Sequence, residues 1–586
     1  MKKYYLHLLF ILLFCMNGKS VSAHDIEVVN DEGVTIYYNY INEGKELEVT
    51  YQDLSVYNAY RGDVVIPEEV SFDDQTLKVT GIGLYAFSRC PNLNSVTIPN
   101  GVTSIGERAF DGCTGLKNIT LPESVTSIGE RAFDGCTGLK NITLPESVTY
   151  IGKSAFYGCT SLESVNIPKS MKRIEFATFQ ACSSLSSVII PEGLEYIGQW
   201  AFLACSSLES INIPTSINEI GEAAFSYTGL TAVNIQGNGE TTIDKEAFKS
   251  CENLKTVEIG DGVVSIGESA FHYSWRIESV VIGNNVKTIG DMAFLDCGGV
   301  SSVTLGEGVE TIGIGAFANC YQLEEIVFPN SVKSIGLEAF YNTGLTAIII
   351  SGNGDTTIGE GAFAGCKSLK TIVIGDGVVS IEKQAFGYCN QLESLVIGNN
   401  VKMIGEMAFT YCTRLNSLVL GEGVETIGDA AFYGCCALND IVIPNSVNSI
   451  GGDAFESCEQ LKSITIGEGV ETVGDAAFWG CSVISDIFVH SSIPAEIFEN
   501  TFTEKNYKNA TLHVPSGSLQ NYVTAEYWQR FIHIVDDVEP SGILLPTTVE
   551  EPWMIFDING KRWPHLKSGV NIIKYKNGET KKKYVQ

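Results

Sequence analysis

The stretch Val102–Ser124, VTSIGERAFDGCTGLKNITLPES, recurs letter for letter as Val125–Ser147. Working outward from it in steps of 23 residues, a phenylalanine is met every time from Phe87 to Phe478, eighteen in one register. A fixed period of this length outranks any local secondary-structure assignment and predicts a stack of repeats. One such unit holds too few apolar side chains to offset the entropy of ordering it, so it must bury its faces against neighbours.

With Phe110 as position zero, Cys113 sits at +3, Leu116 at +6, Ile119 at +9, Leu121 at +11, Val125 at +15, Ile128 at +18, Gly129 at +19 and Ala132 at +22. Leu-x-x-Ile-x-Leu is the strand signature of a leucine-rich repeat. Alternation in a strand turns +9 and +11 inward and leaves +8 and +10 facing solvent. Pro122 stops the strand, and a turn leads to a second short apolar stretch at +15 to +18. Gly129 reads as a turn-former, although Glu175, Asp244 and Glu382 hold its position elsewhere. The expected fold is a mostly β leucine-rich-repeat solenoid with short turns or helical turns, eighteen 23-residue repeats and non-repeat caps at both ends. A longer period overlies the short one. The repeats of Phe225 and Phe340, 115 residues apart, both read TGLTA, lack the cysteine and carry GNG before Thr-Thr-Ile.

Lys2-Lys3, an apolar run from Tyr4 to Met16, and Ser20–Ala23 form the pattern of a secretory signal peptide over 1–23. Phe14 before Cys15 does not suit a lipidation motif. Alternating β-branched and aromatic residues over 24–80 predict an N-terminal β cap; the solenoid is expected over 81–492. A C-terminal cap at 493–537 is expected to contain a strand followed by a helix from Ser516 to Phe531. A linker at 538–551 and a small β module at 552–586 complete the chain. Leu545–Val549 approaches a sortase signal, but Val stands where Gly is needed and no apolar anchor follows. No later run approaches the ~20 apolar residues that span a bilayer.

The net charge of −31 and the absence of a basic stripe along the repeats exclude nucleic acid as a partner. Fifteen repeats place a cysteine at +3. Equivalent positions on stacked rungs lie ~4.8 Å apart, wider than the Cβ separation a disulfide prefers, so these residues are expected to be buried, reduced and packed as small hydrophobes. Cys436 stands outside that ladder. Histidines are scattered, and no GxSxG, HExxH or phosphate-cradling loop is present. The chain is therefore read as a non-enzyme without cofactor or metal. Arg61-Gly62-Asp63 spells an integrin-type tripeptide, but its Gly-Asp also opens GDVVIPE, a string of the repeat's entry segment.

The pattern AFxxCxxLxxVxIPxxVxxIGxxAF over Gly81–Val489, entered through GDVVIPEEV and left through ATLHVPSGSLQNY, resembles the BspA-like leucine-rich repeat family of bacterial surface proteins. That resemblance implies a secreted, cell-surface or outer-membrane-associated protein of Bacteroidetes-like bacteria, some of whose relatives are adhesins that bind host proteins or other bacteria. The final MIFDINGKRW…LKSGVNIIKYKNGETKKKYVQ is similar to C-terminal sorting-type domains of that phylum, and departs from them at Asn571-Ile572-Ile573.

Adhesion directs attention to the outward +10 column. It holds Thr97, Thr120, Thr143, Asn166, Ile189 and Asn212 early in the chain, and Val281 and Thr304 later. There follow Val327, Ile349 (at +9 in a shortened repeat), Val373, Val396, Val419 and Val442, six consecutive rungs of β-branched side chains and the expected binding face. The expected partner is a protein or glycan, in host matrix or on another bacterial surface. A structural or glycan-capturing role is the alternative, and it would lean on Tyr273, Trp275 and Trp479.

Overall fold

A computed structural model of the chain describes residues 23–53 and 59–538, and the backbone of four strands between Pro552 and Val585. The expected signal peptide except Ala23, and the expected linker except Val538, lie outside the described residues. The chain divides into two compact units, Met1–Leu254 and Lys255–Gln586. Each is a solenoid of leucine-rich repeats.

In the first unit most coils contribute two parallel strands, although none is assigned between Tyr196–Ile197 and Glu219–Ile220. Strand Asn118–Thr120 pairs with Leu93–Thr97 on one side and Asn141–Thr143 on the other, with partners 23 residues apart. Strand Ser127–Ile128 lies between Ser104–Ile105 and Tyr150–Ile151 in the same register. Ile119 and Leu121 are buried while Asn118 and Thr120 are exposed, the alternation a half-buried strand demands. Ahead of the coils, Ile26–Val29, Thr35–Ile41 and Glu46–Thr50 form an antiparallel meander. Its last strand turns parallel to Gln75–Ile82.

The repeated phenylalanines form a file of rings in each unit. From Phe87 to Phe248 the centroids of neighbours are 5.0–5.4 Å apart and the planes within 10° of parallel. From Phe271 the second unit's file runs to Phe478 and on to Phe502, which arrives one residue late yet stacks at 5.3 Å and 7°. What holds the rings in register is the backbone on either side. The residues two before and two after each of the eighteen phenylalanines are all left-handed, with φ between 49° and 80°, and only eight of those thirty-six are glycine. A left-handed L-residue costs about 1–2 kcal/mol and persists only where its surroundings over-determine it. Here they do. Arg108, Phe110 and Gly112 each donate a backbone N–H to the next coil, to the carbonyls of Glu130, Ala132 and Asp134 at 2.7–2.9 Å.

Two sequence expectations acquire a different cause. Gly129 does not have positive φ. It is required because a Cβ there would lie 2.6 Å from the Glu107 amide nitrogen, where adjacent coils meet backbone to backbone. The +3 cysteines are buried and unbridged, as expected, but they are also donors. Cys113 Sγ donates to the Phe87 carbonyl one coil back at 3.0 Å, and Cys481 does the same to Phe455 at 3.2 Å. Burial pushes Cys251 up to about 11 and Cys412 up to about 12, so these two thiols stay protonated and able to donate. Cys436 is half-buried.

In the second unit the two strands of a coil sometimes merge. Ala347–Ile358 and Thr371–Ile381 pair along their length with bulges at Gly352 and Thr356. The segment after Phe502 corrects one expectation. Instead of one helix from Ser516 to Phe531 there is a short helix Leu519–Thr524, an extended Ala525, a left-handed Tyr527 and a 3-10 turn Trp528–Arg530. The break lets Trp528 bury its ring and donate Nε1–H to the Ala495 carbonyl at 2.8 Å. A further helix, Glu504–Asn509, starts from a Thr503–Asn506 capping box. Strands Pro552–Asp557, Arg562–Trp563, Gly569–Tyr575 and Thr580–Val585 form an antiparallel sheet.

Candidate binding face

Parallel pairing in a 23-residue register stacks each outward side chain on its equivalent in the next coil. In the second unit Ile349 pairs with Val373, Val373 with Val396, and Val396 with Val419. Ile349, at +9, therefore enters the column as the shortened repeat requires. These four, and Val442, are half-buried: in-register neighbours cover one another's flanks, leaving a close-packed ridge where the sequence suggested fully open side chains. Val442 pairs with Thr465. Val327 lies in a segment without an assigned strand and is 41% exposed, and Val281 is 40% exposed.

The column runs further than the repeat count took it. Thr465 pairs with Phe488, Phe488 with His513 and His513 with Val535, so the segment after the last repeat extends the row that Val442 begins, in a sheet separate from that of Ile349, Val373, Val396 and Val419. His513 stacks on Phe488 at 4.3 Å and lies between Asp537, 2.9 Å from Nδ1, and Asp486, 3.3 Å from Nε2. The Ser485 hydroxyl and then His513 hold the Asp486 carboxyl below the usual carboxylate range. Counting to +10 would have found Thr465 and Phe488; His513 has no repeat signal and needed the strand pairing.

Charge is concentrated elsewhere on the coils. Glu310 takes Lys287 at 3.2 Å and Lys333 at 2.6 Å, one from each neighbouring coil, and their hydrogen bonds lower its pKa, Lys333 most. Lys402 and Glu425 repeat the arrangement at 2.7 Å. Other sequence candidates are placed apart from the ridge. Tyr273 is exposed and stacked on His272 at 4.0 Å, and Trp275 and Trp479 are exposed on turns. Asp63 belongs to strand Gly62–Val65 and accepts from the Ser95 hydroxyl at 2.6 Å, which removes the tripeptide from a loop tip. Among the described residues no three His, Cys, Asp or Glu are grouped to hold a metal ion.

This coil geometry meets an independent comparison. The family model described as BspA type Leucine rich repeat region (6 copies) matches in overlapping segments, from 80–183 at the start to 425–526 at the end, that together cover residues 80–526. The chain belongs to the BspA-type leucine-rich repeat family. No curated protein matches it. Among solved structures, a leucine-rich repeat protein from Bacteroides ovatus is 26% identical, covering 77% of this chain and 92% of its own, with a TM-score of 0.33. A leucine rich cell surface protein from Faecalibacterium prausnitzii is 22% identical, covering 79% of this chain and 95% of its own, with a TM-score of 0.29. A leucine-rich repeat protein from Eubacterium ventriosum is 20% identical, covering 74% and 95%, with a TM-score of 0.29. The family model carries the assignment. Within this BspA-type chain, the repeat's inward positions are accounted for by packing, and the outward columns are where one coil is free to differ from the next.

Proposed function

We propose that this BspA-type chain is a secreted cell-surface protein that binds other macromolecules, adhesin-fashion, through the outward ridge of its second unit, and that it carries out no chemistry. The carrying observation is the in-register run Ile349–Val373–Val396–Val419, four coils of adjoining β-branched side chains on a chain of net charge −31. An uncharged apolar strip on an otherwise acidic surface suits a protein partner, in host matrix or on another bacterium. The family match and the signal-peptide pattern at 1–23 support surface location, and no described helix is long and apolar enough to cross a membrane. The segments 24–80 and 493–537 serve as caps in this proposal, the second through Tyr507, Trp528 and Phe531 packed around the Phe502 ring.

The test is a triple Val→Thr change at Val373, Val396 and Val419, which installs the residue found in that column at Thr120 and Thr143 and keeps strand propensity. Binding of the full chain to immobilised matrix proteins and to whole bacteria should fall by at least roughly tenfold with the melting temperature unchanged. Retained binding by the triple variant would remove the ridge from the proposal.

A further inference from the structure

A second surface of the second unit has the makings of a site of different chemistry. Position +4, on the turn before the strand, reads Trp275, Gly298 and Tyr321 in three successive coils, and in the fourth the residue is missing, Thr343 being followed at once by Gly344-Leu345. Gly344 does the packing work of the following position: a Cβ on it would meet the Tyr321 carbonyl oxygen at 2.3 Å, just as one on Gly299 would meet that of Trp275 at 2.7 Å. Tyr321 therefore stands with no side chain beside it at its own level in either adjacent coil, 58% exposed, and Trp275 is 48% exposed. Gly298 is fitted to the ring, since a Cβ there would come within 3.2 Å of Tyr321 Cδ2.

The two rings bound an open groove floored by the Gly298-Gly299 backbone and rimmed by Lys255, Arg276, Glu278 and Gln322. The Arg276 guanidinium lies 4.6 Å from the centre of the Trp275 ring. A second hollow opens on the other side of Tyr321, lined by Ser301, Glu324, Glu325 and Thr346, with Gln322 common to both. The side chains of Gln322, Glu324 and Glu325 have no hydrogen-bond or ion-pair partner among the described residues. Two rungs at ~4.8 Å put the rings about 10 Å apart, the span of a disaccharide.

Exposed flat rings at that spacing, with planar amide, carboxylate and guanidinium groups at their edges, match a ligand that is apolar on its faces and hydroxylated around its rim. Lys255 and Arg276 are outnumbered by Glu278, Glu324 and Glu325, so the two hollows together disfavour an anionic ligand. We propose that this groove binds a neutral oligosaccharide, with Trp275 and Tyr321 stacking on two of its rings and Gln322, Glu324 and Glu325 accepting or donating at its hydroxyls. Protein partners fit less well: the rim is polar and the rings stand apart, with no continuous apolar patch between them.

The test is calorimetry and intrinsic tryptophan fluorescence of the full chain with cellohexaose, laminarihexaose, maltohexaose and N-acetylchitohexaose, and with a heparin hexasaccharide as the acidic arm. At least one neutral hexasaccharide should bind at micromolar to millimolar concentration and heparin should not. Trp275→Ala and Tyr321→Ala should each weaken that binding by roughly tenfold or more, as should Gly298→Lys, which fills the floor. Tyr321→Phe should keep most of it, separating ring stacking from loss of fold. The triple Val→Thr ridge variant should bind the sugar normally, so failure here and failure of the ridge are distinguishable. Binding of no neutral hexasaccharide, equal binding of heparin, unchanged binding in both ring→Ala variants, or ring variants that affect only a protein ligand would each overturn the proposal.

Discussion

The coils around 102–170 in the first unit and those around 371–428 in the second share an interior and differ on the outside. Phe110, Leu116, Ile119 and Val125 are matched by Phe386, Leu392, Leu395 and Val401, all fully or nearly fully buried. Outside, the first set shows Thr120 and Thr143 where the second shows Val373 and Val396. The turn that ends the strand also changes. In the first set it is Pro-Glu-Ser or Pro-Lys-Ser, whose serine reaches back one coil: Ser124 Oγ donates to the Val102 carbonyl at 2.6 Å and Ser147 to Val125 at 2.6 Å. In the second unit it is often Gly-x-Gly, tied by an Asx ladder in which Asn399 N–H donates to Asp376 and Glu422 N–H to Asn399, at 2.7 and 3.1 Å. The interior is dictated by what the neighbouring coil will accept, while turns and outward columns have more than one solution. Those are the places where two units of one architecture can come to bind different things.

The equality of the interiors is the part most open to a large effect. Phe133 and Phe409 each lie between two parallel rings at 5.1–5.3 Å. Replacing either by Ala should cost about 3–5 kcal/mol, the usual range for a fully buried ring. The loss should appear as reduced hydrogen-exchange protection centred on the altered coil, because repeat stability is local. A cost in one unit less than half that in the other would mean the two interiors are not equivalent despite their geometry.

The two turns sharpen the comparison at a smaller scale. Gly423 occupies the place of Ser124, and a Cβ on it would lie 1.8 Å from the Asn399 carbonyl oxygen. Gly423→Ser should therefore destabilise by about 1–3 kcal/mol through overpacking, and Ser124→Gly by about 1 kcal/mol through the lost hydrogen bond and added chain freedom. A Cβ on Gly421 would likewise lie 2.2 Å from the Gly398 carbonyl oxygen, so Gly421→Pro added to Gly423→Ser should deepen the loss in urea unfolding, by less than the two single losses combined if one shift of the turn relieves both clashes. Strict additivity of the pair would show instead that each residue acts alone.

How much of this was legible depended on whether a position announces itself by residue type. The ring file, the strand alternation and the buried thiol ladder could be read because Phe, Ile, Leu and Cys return in step. The left-handed residues flanking each ring could not. They are Arg108, Met292, Ala430 or Tyr411 as readily as glycine, since the hydrogen bonds they donate to the next coil fix the conformation whatever the side chain. The role of Gly129 was misattributed for the same reason, because contact between coils is not a local property. On the candidate face, the column was countable as far as Phe488. Its half-buried state was not, since coverage comes from in-register neighbours, and His513 joins only through a strand outside the repeat.

Exact duplication leaves a liability that the coils of Phe363, Phe386 and Phe409 in the second unit avoid. Because Val102–Ser124 is copied unchanged, Asp111 and Asp134 come to lie one above the other. Burial, and then the Asp111 charge, raise the Asp134 carboxyl to about 6, against the opposing pull of Arg131 and Arg108. A carboxyl raised on folding holds a proton that the unfolded chain has already released, so its stability contribution is complete below about pH 4 and is lost as pH rises towards 6. Asp134→Asn should therefore stabilise the first unit at pH 7 by about 1 kcal/mol or less, after allowing for solvent screening, and by nothing at pH 4. Ala364, Gly387 and Thr410 hold the equivalent place in three successive coils of the second unit, so exchange protection there should stay flat across the same window. A stabilisation by Asp134→Asn that persists at pH 4 would trace the effect to packing and not to the doubled charge.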